Sequence, residues 1–370
     1  MVLSHIEISN FRNISSIECD FSKRINFFFG DNAQGKTNLI EAIYHLCLAR
    51  SFRTRDESEL VRFGSGEFVL EGDFVNEMGI VKRVGVSLSR TQGKRVKIDG
   101  KRVGQLSQLV GQFPVVVLSS SDLILTTGPP AHRRRFFNIL ISQSSVDALA
   151  DLKEYERTLK QRNSILAARA AGHSVRSEEL DVWDQQLARR GEAVMKARDR
   201  MVDEVNSVLG GIYRKISGGE QLLEIRYDPN IAIPSKGSIA ESMLDRIRRN
   251  RGRENRAGVT LAGPHRDDFS FKIGENDLRR YGSRGEHKTA LIGVKAAEAH
   301  VLKKRLEEEP IILLDDLYAE LDAGRSERLL SAFNESSQAF ISGTSLDYQT
   351  SGGLSGHPVF FISAGRITGG

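Results

Sequence analysis

The sequence predicts an α/β protein in which both chain ends build one head and an all-helical arm is inserted between them. Three observations predict it. A glycine-rich stretch, Gly30-Asp31-Asn32-Ala33-Gln34-Gly35-Lys36-Thr37, joins an apolar strand run to a helix pattern near the start. A second apolar run, Ile311-Ile312-Leu313-Leu314, ends in Asp315-Asp316 near the far end. Between them, roughly residues 130–210 carry almost no strand signal. The implied boundaries are 1–125 for the first part of the head, 126–215 for the arm and 216–370 for the rest of the head.

The elements follow in order. Alternation of apolar and polar residues over Val2 to Ile8, and more loosely over Ile14 to Phe21, predicts strands, and Ile25 to Phe29 is a compact buried run. Asn38 to Ala49 reads as a helix with Leu39, Ile43, Leu46 and Cys47 on one face. Strands return over Phe68 to Phe74, Ile80 to Leu88 and Arg95 to Ile98, the last closed by the turn pair Asp99-Gly100. Val115 to Leu118 is another buried strand. Leu152, Leu159 and Leu166, then Leu187, Val194, Met201 and Val208, recur at heptad spacing on either side of a break at Ala170 to Ser177. That pattern predicts two antiparallel helices, each roughly 40 Å long at 1.5 Å per residue. Strand signals resume at Leu222 to Tyr227, Val259 to Leu261 and Phe269 to Ile273. A helix over Lys288 to Leu306 follows, then strands at Ile311 to Leu314, Gln338 to Ile341 and Val359 to Ile362.

Composition excludes several classes. With 39% hydrophobic and 27% charged residues the chain is neither disordered nor fibrous. No run approaches the roughly 18 apolar residues of a membrane helix, and the start lacks the pattern of a secretion signal. Cys19 and Cys47 alone form no disulfide framework or metal cluster, which fits a reducing cytoplasm. A net charge of +5 is too mild to diagnose nucleic acid, so its distribution carries more. Arginine gathers at Arg133, Arg134 and Arg135, and again along Arg246, Arg248, Arg249, Arg251, Arg253 and Arg256. Arginine suits bidentate phosphate contacts, and a solvated loop or helix face is the plain alternative for either cluster.

The segment from Gly30 to Thr37 fits G-x-x-x-x-G-K-[ST] at every fixed position, in the strand-to-helix setting the chemistry requires. Glycines let successive backbone N–H groups face phosphate oxygens, and the helix N-terminus adds its dipole. Lys36 supplies a point charge, and the Thr37 hydroxyl can ligand Mg²⁺. Of the two acids ending the Ile311 run, Asp315 is the metal-facing carboxylate and Asp316 the one placed to orient attacking water. Read plainly, they are acids capping the next helix. Tyr281-Gly282-Ser283-Arg284-Gly285-Glu286 is a second small-residue turn at a helix N-terminus.

These residues resemble the RecF family, recombination-mediator ATPases related to SMC and ABC ATPase heads. The resemblance runs through Asn10-Phe11-Arg12-Asn13, the P-loop with Asn38, Ala49-Arg50-Ser51-Phe52-Arg53-Thr54 and Gly128-Pro129-Pro130 with the following arginines. It continues in Leu261 to Asp268, Ser283-Arg284-Gly285, and Leu314-Asp315-Asp316 with Glu320-Leu321-Asp322. It implies an ATP-dependent homodimer sandwiching two nucleotides. Ser283 and the Gly285 backbone would touch the γ-phosphate across the seam, Asp322 would lie at that seam, and Arg12 and Asn38 would border the nucleotide. It also implies DNA binding by the ATP-bound dimer, slow hydrolysis, and action with RecO and RecR in loading recombinase.

The chain departs from the family pattern at Ser120-Ser121, where a Pro-Glu pair usually precedes the aspartate, and at Asn138, usually aspartate. Thr344 stands in a segment usually richer in threonine and is the candidate γ-phosphate sensor. The Gly263 to Asp268 stretch reads as a structural turn with an internal Arg266–Asp pair. Two other functions stay open: a transporter-type ABC ATPase subunit, which usually keeps P-loop and signature turn closer than Lys36 and Ser283 are here, and a scaffold that binds ATP without turnover. An Asn-Lys-x-Asp segment that would mark a GTPase is absent.

Overall fold

The computed structural model describes residues 1–173, 177–234, 237–316, 333, 337–344 and 356–369. In chain order the strands and helices are β1 (Val2–Phe11), β2 (Ile14–Asp20), β3 (Ile25–Phe29), α1 (Lys36–Leu48), β4 (Glu67–Val75), β5 (Val81–Ser89), β6 (Gly93–Ile98), β7 (Lys101–Arg102) and β8 (Val115–Ser119). Then come α2 (Ile124–Thr127), α3 (Pro130–Ser144), α4 (Val146–Ala170), α5 (Ser177–Ser217), β9 (Leu223–Asp228) and α6 (Ile239–Ala257). The last are β10 (Asp268–Ile273), β11 (Asn276–Asp277), α7 (Leu278–Tyr281), α8 (Arg284–Leu306), β12 (Ile311–Asp315), β13 (Ala339–Gly343), β14 (Val359–Ser363) and β15 (Arg366–Gly369). They fall into two compact units.

The first unit takes Met1–Leu123, Gly211–Gly219 and Thr289–Gly370, so both chain ends belong to it. One of its sheets is antiparallel, in the order β2-β1-β4-β5-β6-β7. The other runs β15-β14-β3-β13-β12-β8 and is parallel except for β15. The parallel strands read as continuous apolar runs because both faces are covered; β12, β8 and β13 are buried at every position. Helix α1 touches strands of both sheets and is buried nearly all round. Phe21, Phe28, Phe340 and Phe360 form one aromatic cluster in this core, and Phe11, His45 and Phe68 another.

The second unit takes Ile124–Gly210 and Glu220–Lys288. Helices α4 and α5 run antiparallel: Arg162 of α4 meets Asp184, while Asp151, earlier on α4, meets Arg190, later on α5. Arg162 is fully buried and donates to Asp184, to Glu254 of α6 and to the Thr260 hydroxyl, so one guanidinium fastens three helices. The small sheet β11-β10-β9 completes the unit. Asn206 on α5 donates its amide to the Ile225 carbonyl (2.7 Å) and accepts from the Ile225 N–H (2.9 Å) in the edge strand β9.

The structure departs from the sequence expectation in four places. Residues 220–288 cluster with the helices instead of with the head. Val259 to Leu261 is not a strand: the Thr260 carbonyl accepts from Arg266, its N–H and hydroxyl are held by Asn163, and the backbone is thereby fixed as a loop. Helix α6 stands where the sequence pattern predicts no element. Arg266 does not pair with a neighbouring aspartate; Asp267 instead takes Arg198, and Asp268 takes Arg133. Asp322, like the Glu320-Leu321 before it, lies outside the described residues. Among those described, no helix is long and apolar enough to cross a membrane.

Candidate nucleotide site

Strand β3 delivers the chain into the 30–35 loop, and α1 opens at Lys36. Two glycines have no substitute there. Any Cβ at Gly30 would lie 2.2 Å from the Ile362 carbonyl oxygen. Gly35 holds φ at 116° as the residue before the helix, and a Cβ there would sit 2.8 Å from Asn13 Oδ1. Gln34 ties the loop down: its side chain accepts from Ala364 N–H and its carbonyl from Gly365 N–H. Lys36 is buried, and its Nζ donates to the Gly30 and Asp31 carbonyls at 2.8 and 2.9 Å. The amine is thus held at the loop, next to the first-turn N–H groups of α1, which have no partner within the helix and can face an anion.

Thr37 Oγ1 donates to Asp315 Oδ1 at 2.9 Å, which brings the first turn of α1 against the end of β12. Ser342 of β13 donates to the same carboxylate oxygen at 2.8 Å and accepts from Asp316 N–H at 3.0 Å. Burial pushes the Asp315 carboxyl above the usual carboxylate range, against the lowering effect of the Ser342 and Thr37 hydroxyls; Asp316 adds to the rise. Asp316 adopts φ 53°, and its Oδ1 is buried without a partner among the described residues. Such backbone conformations outside glycine gather at functional sites, and a shielded carboxylate oxygen with nothing to accept from is a group kept for a ligand. The donor set is a hydroxyl and carboxylates, hard oxygens that fit Mg²⁺.

Beside α1 lies a polar hub that the sequence reading did not find. Glu41 is fully buried and receives Arg12 through two bonds, 2.9 and 3.0 Å, together with the Ser51 hydroxyl and Arg53. Arg53 also donates to Asn38 Oδ1, and Asn38 donates to Asn13, which donates to the Gln34 carbonyl. Arg12, at φ 53°, and Asn38 are therefore connected to the loop through Glu41, Arg53 and Asn13. Glu41 lies opposite the predicted apolar face of Leu39, Ile43, Leu46 and Cys47, so no local pattern marks it; its burial is matched by the cations it receives.

The remaining sequence candidates divide. Ser283 caps α8 in a reciprocal box: Glu286 N–H donates to the Ser283 hydroxyl, while Ser283 N–H and hydroxyl donate to the Glu286 carboxylate. Ser283 is exposed and Gly285 half-buried, both in the second unit. Thr344 is exposed just past the end of β13. Arg133 is no surface cation: it is 2% exposed and gives its fork to Asp268 at 2.7 and 3.0 Å. Arg134 donates to the Asp267 carbonyl and Arg135 is half-buried. On α6, Arg251 is spent on Asp181 and Asp184, and Arg248 faces Asp245; Arg249 is exposed and without an ion-pair partner among the described residues.

Comparison with known proteins agrees with this geometry. The model of the RecF/RecN/SMC N terminal domain matches residues 2–351. A relative from Geotalea uraniireducens, named DNA replication and repair protein RecF, is 33% identical, over 99% of this chain and all of its own. The chain belongs to the RecF family. A solved structure of the recombination mediator protein RecF with ATP, in the RecFOR pathway, superposes with a TM-score of 0.91 at 29% identity, covering all of this chain and 97% of that one. An Smc head bound to the C-winged helix domain of ScpA shares the fold at a TM-score of 0.56 and 15% identity. The ABC/SMC-type head expected from the sequence, assembled from both ends of a RecF-family chain, is the fold observed.

Proposed function

We propose that the protein is an ATP-switched DNA-binding factor of replication and recombinational repair. Two subunits would close on two ATP molecules and hold DNA at gaps or junctions. The observation that carries the nucleotide half is the Thr37–Asp315 bond, which unites the phosphate loop with the acid strand. The DNA half is supported by the protein's relatives, which are known as DNA replication and repair proteins and a recombination mediator. The loop N–H groups from Gly30 to Thr37, with Lys36, would bind the triphosphate, bordered by Arg12 and Asn38. Thr37 and Asp315 would hold Mg²⁺, which neutralises developing phosphate charge. Asp316, buried and unpartnered at Oδ1, would accept from the attacking water. Its short side chain accords with slow turnover, so that nucleotide binding, and not hydrolysis, drives closure. Ser283, the Gly285 backbone and Thr344 are the proposed γ-phosphate contacts, the first two from the opposing subunit. RecO and RecR are the proposed partners, with recombinase loading as the outcome.

The test is sedimentation of the full chain with Mg²⁺-ATP, with and without duplex DNA carrying a single-stranded gap. A monomer that dimerises on ATP and binds DNA only then is the expected result. A species indifferent to nucleotide would favour a different P-loop ATPase.

A further inference from the structure

The strands β5 to β7 carry a further run of positive charge, separate from both arginine clusters. From Lys82 to Arg102 the sequence has eight basic side chains against one acid, Asp99. Several are already spent. Arg83 is shared among Glu7, Glu71 and Asp73; Lys94 goes to Glu57 and the Ala49 carbonyl; Lys82 donates to Gln112. Asp99, at the turn, accepts from the Arg83 N–H and so is drawn toward the β5 backbone. Arg90, Arg95, Lys97, Lys101 and Arg102 remain, all exposed and without an ion-pair partner among the described residues.

Strand period explains why they form a surface. Val96 points into the core, so Arg95 and Lys97 share the opposite face of β6, about 7 Å apart at 3.4 Å per residue. Arg102 pairs directly with Lys97 across the β6–β7 ladder, one strand spacing of about 4.8 Å away. On the other flank the same register sets Ser87 against Arg95 and Gly85 against Lys97. Both neighbours are small; the next acid along that row, Glu71 of β4, reaches over Gly85 but is bound by Arg83. Like charges set this close repel, at a cost to the fold that an anionic partner would relieve.

We infer that the exposed face of β6 and β7, through Arg95, Lys97 and Arg102, is a docking surface for the phosphate backbone of duplex nucleic acid. Duplex is favoured over single strand because residues 76–112 contain no Phe, Trp or Tyr, and single-strand sites stack bases on aromatic rings. A row of charge with no base-reading shape predicts little sequence preference and steep salt dependence. The inference rests on the ATP-and-DNA reading above and moves the contact from the arginine clusters to this lobe of the nucleotide-binding unit.

The experiment is a salt titration of duplex binding by the full chain in Mg²⁺-ATP, comparing wild type with Arg95→Gln/Lys97→Gln/Arg102→Gln. An Arg249→Gln/Arg253→Gln variant on α6 serves as a charge control, and ATP affinity is measured for each protein. The expected result is a loss of at least about tenfold in duplex affinity for the triple variant, with ATP affinity intact. Its log–log salt slope should fall by about 2.7, near 0.9 for each phosphate contact removed. The control should lose less. Equal affinity and slope in wild type and triple variant would overturn the inference while leaving the proposed function standing. Wild type that binds no DNA with ATP would overturn both. A face built for an acidic protein segment would instead lose poly-glutamate binding while duplex binding stayed unchanged, which also overturns it.

Discussion

Thr37 and Asp315 stand 278 positions apart in the chain, and the hydroxyl of one donates to the carboxylate of the other at 2.9 Å. That bond is made by the two groups proposed to hold Mg²⁺. Thr37→Ala and Asp315→Asn should each weaken ATP binding by about tenfold or more when Mg²⁺ is present, roughly 1.4 kcal/mol. In EDTA the variants and wild type should bind alike. Calorimetric titration under both conditions decides it; equal losses with and without Mg²⁺ would mean the pair acts on the fold alone.

Asp316 should behave differently from its neighbour. Asp316→Ala is expected to lower ATP turnover by about a hundredfold, at the low end of general-base effects, while ATP-driven dimerisation persists. Steady-state phosphate release and sedimentation on the same preparation separate the two. Wild-type turnover above about 10 per second, the ordinary enzyme median, would remove the slow-switch reading.

Ser283 caps α8, and that role has to be separated from the γ-phosphate contact proposed for it. Ser283→Ala should cost about 1 kcal/mol of stability from the lost cap. ATP affinity of the monomer should stay within about twofold, whereas the ATP-induced dimer should be lost. A large drop in ATP affinity of the monomer would place the residue in its own subunit's site instead.

His45 gives the protein an acid limit. The ring is fully buried against Phe11 and Phe68, neither nitrogen has a partner among the described residues, and burial lowers its pKa from the ordinary 6.5 to about 3. The unfolded chain protonates this side chain as pH falls below about 6.5 while the folded chain does not, so stability is lost on acidification through that window. Between pH 6.5 and 5 the loss attributable to His45 is about 2 kcal/mol, at about 1.4 kcal/mol per unit. Denaturant unfolding of wild type and His45→Leu should show a shallower acid dependence in the variant, whatever its stability at neutral pH. Parallel profiles would assign the acid limit elsewhere.

What was legible in the sequence was what local pattern dictates. The phosphate loop, the strand ending at Asp315 and the apolar strands around them announce themselves by spacing and run length, and the structure brings them together. Helix α6 shows why other parts were not legible. Its buried stripe runs Ile239, Ala240, Met243, Ile247, Asn250, Glu254, which is helical spacing throughout, but the last two members are polar. Glu254 is tolerated there because Arg162, distant in the chain, and the Leu261 N–H both donate to it. The burial of Arg133 is hidden for the same reason: its partner, Asp268, lies 135 positions away, and a run of arginines looks solvated without that partner. The cationic face of β6 and β7 was the opposite case, interrupted in sequence by Val96 and the Asp99-Gly100 turn and continuous only once the strands pair.

Asn206 has a consequence for how copies of this protein can meet. A strand at the rim of a sheet is a template onto which any extended peptide can zip, the route to runaway polymer. By answering Ile225 with both an acceptor and a donor, the amide impersonates the next strand and occupies the docking rung at the middle of that rim. Self-association by accretion is thereby blocked at this point, and the reversible pairing proposed above is kept apart from a zipping that could not be undone.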